Sequence, residues 1–173
     1  PGAEFLVSRG SIAPLWTALS AAARARGGAP IGYATLNALR LEAGVPWFGT
    51  DFDERQIPHE AGLEATHISY TKGCYTGQEI VERVRSRGHV NKRRTGLAFS
   101  GAEVPAPGTA LVAGEAEAGI VTSAGFSPLV GKAIGMGYLR REHSRPGEKL
   151  VCGSGTAEVI ELPVQGAVAA GST

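Results

Sequence analysis

The sequence predicts an α+β chain in which a helical first half precedes a six-stranded β domain. Three observations carry that expectation. Apolar residues recur at helical spacing over 11–26 and 33–43, which points to amphipathic helices. Six short runs of β-type residues follow at 95–99, 109–112, 117–123, 133–139, 149–152 and 157–162, separated by Gly and Pro turns. With 173 residues and 43% hydrophobic content, the chain can bury a core.

Each element has a local reason. Residues 4–7 read as a short strand that meets no earlier partner, and Pro1-Gly2 is no translation start, so the first half reads as part of a larger domain. Ser11 is a suitable N-cap for a helix to about residue 26, with Leu15, Trp16 and Leu19 on one face and Gly27-Gly28 ending it. A second helix over 33–43 carries Leu36, Leu39 and Ala43 and stops at Gly44 and Pro46. Both are expected to pack against a sheet. A loop over 45–62 leads to a short strand at 67–70. Thr76-Gly77-Gln78-Glu79 fits a capping box for a helix over 80–87 that ends at Gly88. The six β runs suit a small barrel or sandwich. The expected organisation is therefore 1–94, 95–164 and a disordered tail at 165–173 rich in Gly, Ala, Ser and Thr.

Composition narrows the function classes. A net charge of +1 supplies no global field for a polyanion, so any nucleic-acid role must rest on a local patch. Two cysteines, Cys74 and Cys152, without paired spacing point away from a disulfide scaffold and toward a reducing compartment, with cytoplasm as the default. No apolar run reaches the roughly 18 residues of a membrane span. The four histidines lack metal-ligand spacing, and phosphate-loop, dinucleotide and G-x-S-x-G signatures are absent.

Three features carry candidate chemistry. Cys74 lies just before a helix N-terminus beside Lys72, where helix dipole and ammonium both favour a thiolate; the alternative is a buried cysteine acting as a small hydrophobe. Glu42 falls in the last turn of its helix, against the dipole, and calls for compensation. Two adjacent N–H donors of a ligand such as a pterin would supply it, and so would a salt bridge to Arg40 or another arginine. Arg83, Arg85, Arg87, His89, Lys92, Arg93 and Arg94 form a basic cluster suited to phosphates of RNA or a folate polyglutamate tail, or to an ordinary solvated face.

In combination these motifs are more specific. LRLEAGVPWFGTDFDERQIPHEAGL, KGCYTGQEIVERVRSRG and GIVTSAGFSP together resemble the YgfZ family of folate-binding proteins, relatives of the glycine-cleavage T-protein (aminomethyltransferase). The resemblance runs from about Phe5 to Val164 and implies a start after the family's N-terminal segment. It implies part of a folate-binding α/β domain followed by a C-terminal β-barrel, with tetrahydrofolate or a derivative as cofactor. It also implies support of iron–sulfur proteins or their assembly machinery, and through them of tRNA-modifying enzymes, in the cytoplasm or an organellar matrix. Glu42, Arg40, Tyr75 and Gln78 are implied in folate binding. Cys74 and Lys72 are implied as the reactive pair, and Gly73, Gly77 and Glu79 complete the signature box. The rival reading is a tetrahydrofolate-dependent aminomethyltransferase, against which Cys74 argues; an RNA-binding module using the basic cluster is a third.

Overall fold

The computed structural model describes residues 3–101 and 103–165, with Arg87 described by its backbone. Helices α1 (Ile12–Arg24), α2 (Tyr33–Glu42), α3 (Glu64–His67) and α4 (Gln78–Arg87) precede strands β1 (Lys92–Ser100), β2 (Ala110–Ala113), β3 (Ala116–Ser127), β4 (Lys132–Arg140), β5 (Lys149–Cys152) and β6 (Gly155–Ile160). All six strands close into one antiparallel barrel in the order β1-β4-β3-β2-β5-β6. Closure gives every strand two neighbours and leaves no exposed edge. The choice between barrel and sandwich is thereby made.

Two apolar clusters share the barrel wall. The interior holds Leu97, Phe99, Leu111, Val121, Leu139, Leu150 and Val159. An outer cluster joins Leu41 of α2 to Ile134 and Met136 of β4 and to Val164 beyond β6. β4 is consequently buried on both faces over 133–139, which is why its sequence reads as an unbroken run of apolar residues and glycines without polar alternation. Its glycines admit close neighbours. A Cβ built on Gly135 would lie 2.4 Å from the Ser123 carbonyl oxygen, and one on Gly119 of β3 would lie 1.9 Å from that of Tyr138.

Helix α1 takes Pro14 in its first turn, where the missing N–H has no intrahelical role. Ser11 closes a 3-10 turn and stands at the expected N-cap position of α1, without a side-chain capping hydrogen bond. Helix α2 ends in a Schellman arrangement, with Val45 N–H donating to Arg40 O (2.8 Å), Gly44 N–H to Leu41 O (3.1 Å), and Gly44 at φ 73°. That turn sends the 45–62 loop back along the outside of the barrel.

Three further expectations are corrected. Residues 4–7 form no strand, because among the described residues no chain lies alongside to receive their backbone hydrogen bonds. The strand expected at 67–70 is not formed: His67 ends the short helix α3 and residues 68–70 belong to no strand. The apolar faces anticipated as buried are exposed, at 59% for Trp16 and 45% for Leu36, while α2 buries Arg40, Leu41 and Glu42. The tail expected to be disordered lies, beyond Gln165, outside the described residues.

Gly119→Ala is expected to destabilise the barrel by roughly 1–3 kcal/mol through forced separation of β3 and β4. The measurement is urea unfolding, with a lowered midpoint at unchanged slope.

Candidate functional site

The side chains that α2 buries converge on a polar seam between helix, loop and barrel. Arg40 pairs with Asp51 through Nη1 and Oδ2, both side chains being enclosed. The Arg40 Nε–H donates to Asn37 Oδ1 (2.9 Å), and the guanidinium lies 4.6 Å from the Trp47 ring centroid. Asp51 Oδ2 also accepts from Trp47 N–H (2.9 Å), and Oδ1 accepts from the hydroxyls of Thr122 (2.7 Å) and Ser123 (2.5 Å).

Consecutive strand residues normally point to opposite faces. A register shift in β3 between Val121 and Ser123 sets both Thr122 and Ser123 against the same carboxylate, as a β-bulge does. Every donor this carboxylate needs is therefore supplied by protein. Nothing in the residue pattern singles out Asp51; Arg40, which the resemblance places among the folate-binding residues and the pattern offers as an ion-pair partner for Glu42, pairs with Asp51 instead of Glu42. Because the pair is buried, its partner count could not be read from residue spacing.

Two residues after Arg40, Glu42 is 7% exposed. Its Oε1 accepts from Ser127 Oγ (2.5 Å) and from Leu129 N–H (3.4 Å), while its carbonyl accepts from Val164 N–H (2.8 Å). Among the described residues no hydrogen bond reaches Oε2. Among the described residues neither Arg40 nor another arginine pairs with Glu42; a hydroxyl and an amide from β3 and the turn after it compensate it. A carboxylate held rigid at one oxygen and open at the other fits a ligand that offers N–H donors.

The cysteine box lies elsewhere. Cys74 is an exposed free thiol, with Gly73 exposed beside it and Lys72 Nζ 4.8 Å from the Tyr75 ring centroid. Helix α4 starts at Gly77, at φ 89°, with no side-chain cap, so the Thr76–Glu79 capping box is not formed; the left-handed glycine makes the turn that Thr76 was expected to cap. Glu79 is exposed in the first turn and Gln78 is half-buried. No hydrogen bond, ion pair or ring contact joins residues 72–79 to Arg40 or Glu42 among the described residues.

The basic cluster divides. Arg94 is spent inside the molecule: its Nε–H donates to Ala61 O (2.7 Å) and Nη1 to Gly44 O (3.3 Å), and burial lowers its pKa. Lys92 lies 3.8 Å from Glu60. Arg83, Arg85 and Arg93 are exposed, and the Arg87 side chain lies outside the described residues. No group of three or more His, Cys, Asp or Glu able to hold a metal occurs among the described residues, and no helix there is long and apolar enough to cross a membrane.

Against known families, residues 92–164 match the Glycine cleavage T-protein C-terminal barrel domain and residues 1–70 match the GCVT N-terminal domain. The chain belongs to the glycine-cleavage T-protein superfamily. It is 31% identical over 166 residues to an aminomethyltransferase of Halothermothrix orenii, covering 94% of this chain and 46% of that protein. It is 39% identical over 124 residues to the mitochondrial aminomethyltransferase of Gallus gallus, covering 70% of this chain and 31% of that protein. The crystal structure of the glycine cleavage system aminomethyltransferase T from Bartonella henselae superposes with a TM-score of 0.78 at 25% identity, over 89% of this chain and 44% of that one. The chain thus spans less than half the length of these relatives. The superfamily is shared with the YgfZ resemblance; the named relatives are aminomethyltransferases.

Asp51→Asn, which leaves Arg40 buried without a counter-charge, is expected to cost about 3–5 kcal/mol in chemical denaturation, with much of the loss recovered in the Arg40→Met/Asp51→Leu double variant. Alkylation of the native protein followed by mass spectrometry should modify Cys74 ahead of Cys152, whose thiol is buried and has its pKa raised by that burial. Equal rates would show that the barrel interior opens as readily as the exposed box.

Proposed function

We propose that the protein binds a reduced folate through Glu42 and serves tetrahydrofolate-dependent one-carbon transfer of the aminomethyltransferase kind. The half-occupied, buried carboxylate of Glu42 carries this reading. Its Oε2 has no protein donor among the described residues, and the amino-pyrimidine edge of a pterin offers adjacent N–H groups that suit such an open carboxylate oxygen. The names of the relatives support the same reaction class. Arg40, with its guanidinium engaged by Asp51, Asn37 and Trp47, would position Glu42 by anchoring α2, leaving ligand contact to the carboxylate. The exposed apolar residues Trp16, Leu19, Leu36, Leu39 and Phe48 offer a surface for the remainder of a folate domain.

A second reading rests on a separate observation. Cys74 stands exposed in the K-G-C-Y-T-G-Q-E box, which supports a folate-binding accessory role in iron–sulfur cluster assembly or repair, and through it in tRNA modification. The two readings part at Cys74. Cys74→Ser would impair maintenance of iron–sulfur enzymes in cells under the second and leave aminomethyl transfer intact under the first.

Glu42→Gln keeps an oxygen for Ser127 and turns a donor toward the ligand's donors, so tetrahydrofolate affinity in the full-length protein is expected to fall by about 2 kcal/mol, roughly 30-fold. Titration calorimetry measures this, with thermal unfolding as the check on folding. Unchanged affinity would leave Glu42 as a structural tie between α2 and the barrel.

A further inference from the structure

Between the C-terminal end of α4, the 59–64 segment and the 3-10 turn at Arg141–His143 lies a cleft of about 290 Å³ that neither reading uses. Arg85, Arg93 and Arg141 reach it, together with His59, His89 and Glu64. We propose that this cleft is a binding site for the oxyanion group, phosphate or carboxylate, of a small ligand.

Charge is the first argument. Three guanidinium groups and one carboxylate line the cleft; Arg85 is paired with Glu82 at 3.5 Å, which leaves Arg93 and Arg141 as the open cations. The lining carboxylate is already engaged, since Glu64 Oε1 accepts the Tyr70 hydroxyl proton at 2.7 Å, an interaction that drives the Tyr70 pKa up to about 12. No ion pair or side-chain hydrogen bond holds Arg93 or Arg141 among the described residues. Their forked N–H donors match an oxyanion in geometry, and a concave wall focuses their field. The Arg141 backbone is fixed in turn, its N–H donating to Asn91 O at 2.9 Å just before β1.

His59 supplies an independent argument. Its side chain is 7% exposed, and Nε2 lies 3.1 Å from the Tyr70 hydroxyl. Tyr70 has one proton and gives it to Glu64, so Nε2–H must be the donor to the Tyr70 oxygen. Nδ1 is then left buried without a hydrogen-bond partner. A buried polar atom of this kind marks a place where a partner belongs. It can serve an oxyanion either as the N–H of the protonated ring or by accepting from the O–H of a hydrogen phosphate.

Size and surface favour a small ligand over a polynucleotide. Single-stranded nucleic acid is held by stacking bases on open aromatic faces along an extended groove. Here no Phe, Tyr or Trp lines the cleft among the described residues, and the nearby Tyr70 ring is covered by the Arg85 guanidinium, 4.3 Å from its centroid.

The test is calorimetric titration of the chain at fixed ionic strength with inorganic pyrophosphate, with citrate and with a short oligouridylate. We expect pyrophosphate or citrate to bind, the stronger of the two identifying phosphate or carboxylate as the source. The Arg93→Gln/Arg141→Gln variant should weaken that binding about tenfold or more, as loss of charge-assisted hydrogen bonds implies, while Arg9→Gln leaves it unchanged. Thermal unfolding of both variants without anion checks that the fold persists. The proposal is overturned if neither small anion binds, if the double variant binds as well as the parent, or if only the oligouridylate binds and depends on these arginines.

Discussion

The carboxylate of Asp51 is the joint on which this arrangement depends. It receives four donors from three parts of the chain: Arg40 of α2, the backbone of Trp47 in the following loop, and the hydroxyls of Thr122 and Ser123 on β3. A buried charge is tolerable only with such complete pairing. Because all four must be met together, the rotation of α2, the path of the loop and the bulge in β3 are mutually determined. Arg40 turned toward Asp51 sets Leu41 into the outer apolar cluster and Glu42 over Ser127. The candidate ligand group is thus held by an ion pair whose arginine lies two residues away in the same helix.

The barrel is the rigid partner in this joint. Its strands pair without an open edge, and the glycines of β3 and β4 bring backbones closer than any side chain would allow. β4 can therefore be buried on both sides, with interior side chains facing the barrel and Ile134 and Met136 facing α2. Arg94 reinforces the same seam from β1, reaching the end of α2 at Gly44 and the loop at Ala61. Helix, loop and barrel form one polar and apolar seam, with Glu42 at its end.

Two further chemical features stand apart from that seam. Cys74 is exposed before α4, and the arginine-lined cleft lies at the other end of the same helix. Helix α4 therefore separates a thiol from a basic pocket by its own length, about 15 Å for ten residues. The superfamily relation accounts for the barrel and for the domain before it; the cysteine box and α4 lie between the two matched segments, 1–70 and 92–164.

The sequence by itself determined the α+β class, the helices α1 and α2, the positions of all six barrel strands to within a few residues, and Glu42 and Cys74 as residues of interest. These follow from local periodicity, from Gly and Pro punctuation and from motifs contiguous in the chain. Where a partner in space decides the outcome, local pattern was insufficient. Residues 4–7 have β character and no neighbour to pair with, and the apolar stripe of α2 points outward because the ion pair with Asp51 turns Arg40, Leu41 and Glu42 inward. Asp51 itself looked like an ordinary loop aspartate, since its donors lie 11 residues away in α2 and 71 and 72 residues away in β3. Only tertiary structure could make it the centre of the seam, because a carboxylate's environment is set by which donors reach it through space, and nothing in its neighbours along the chain records them.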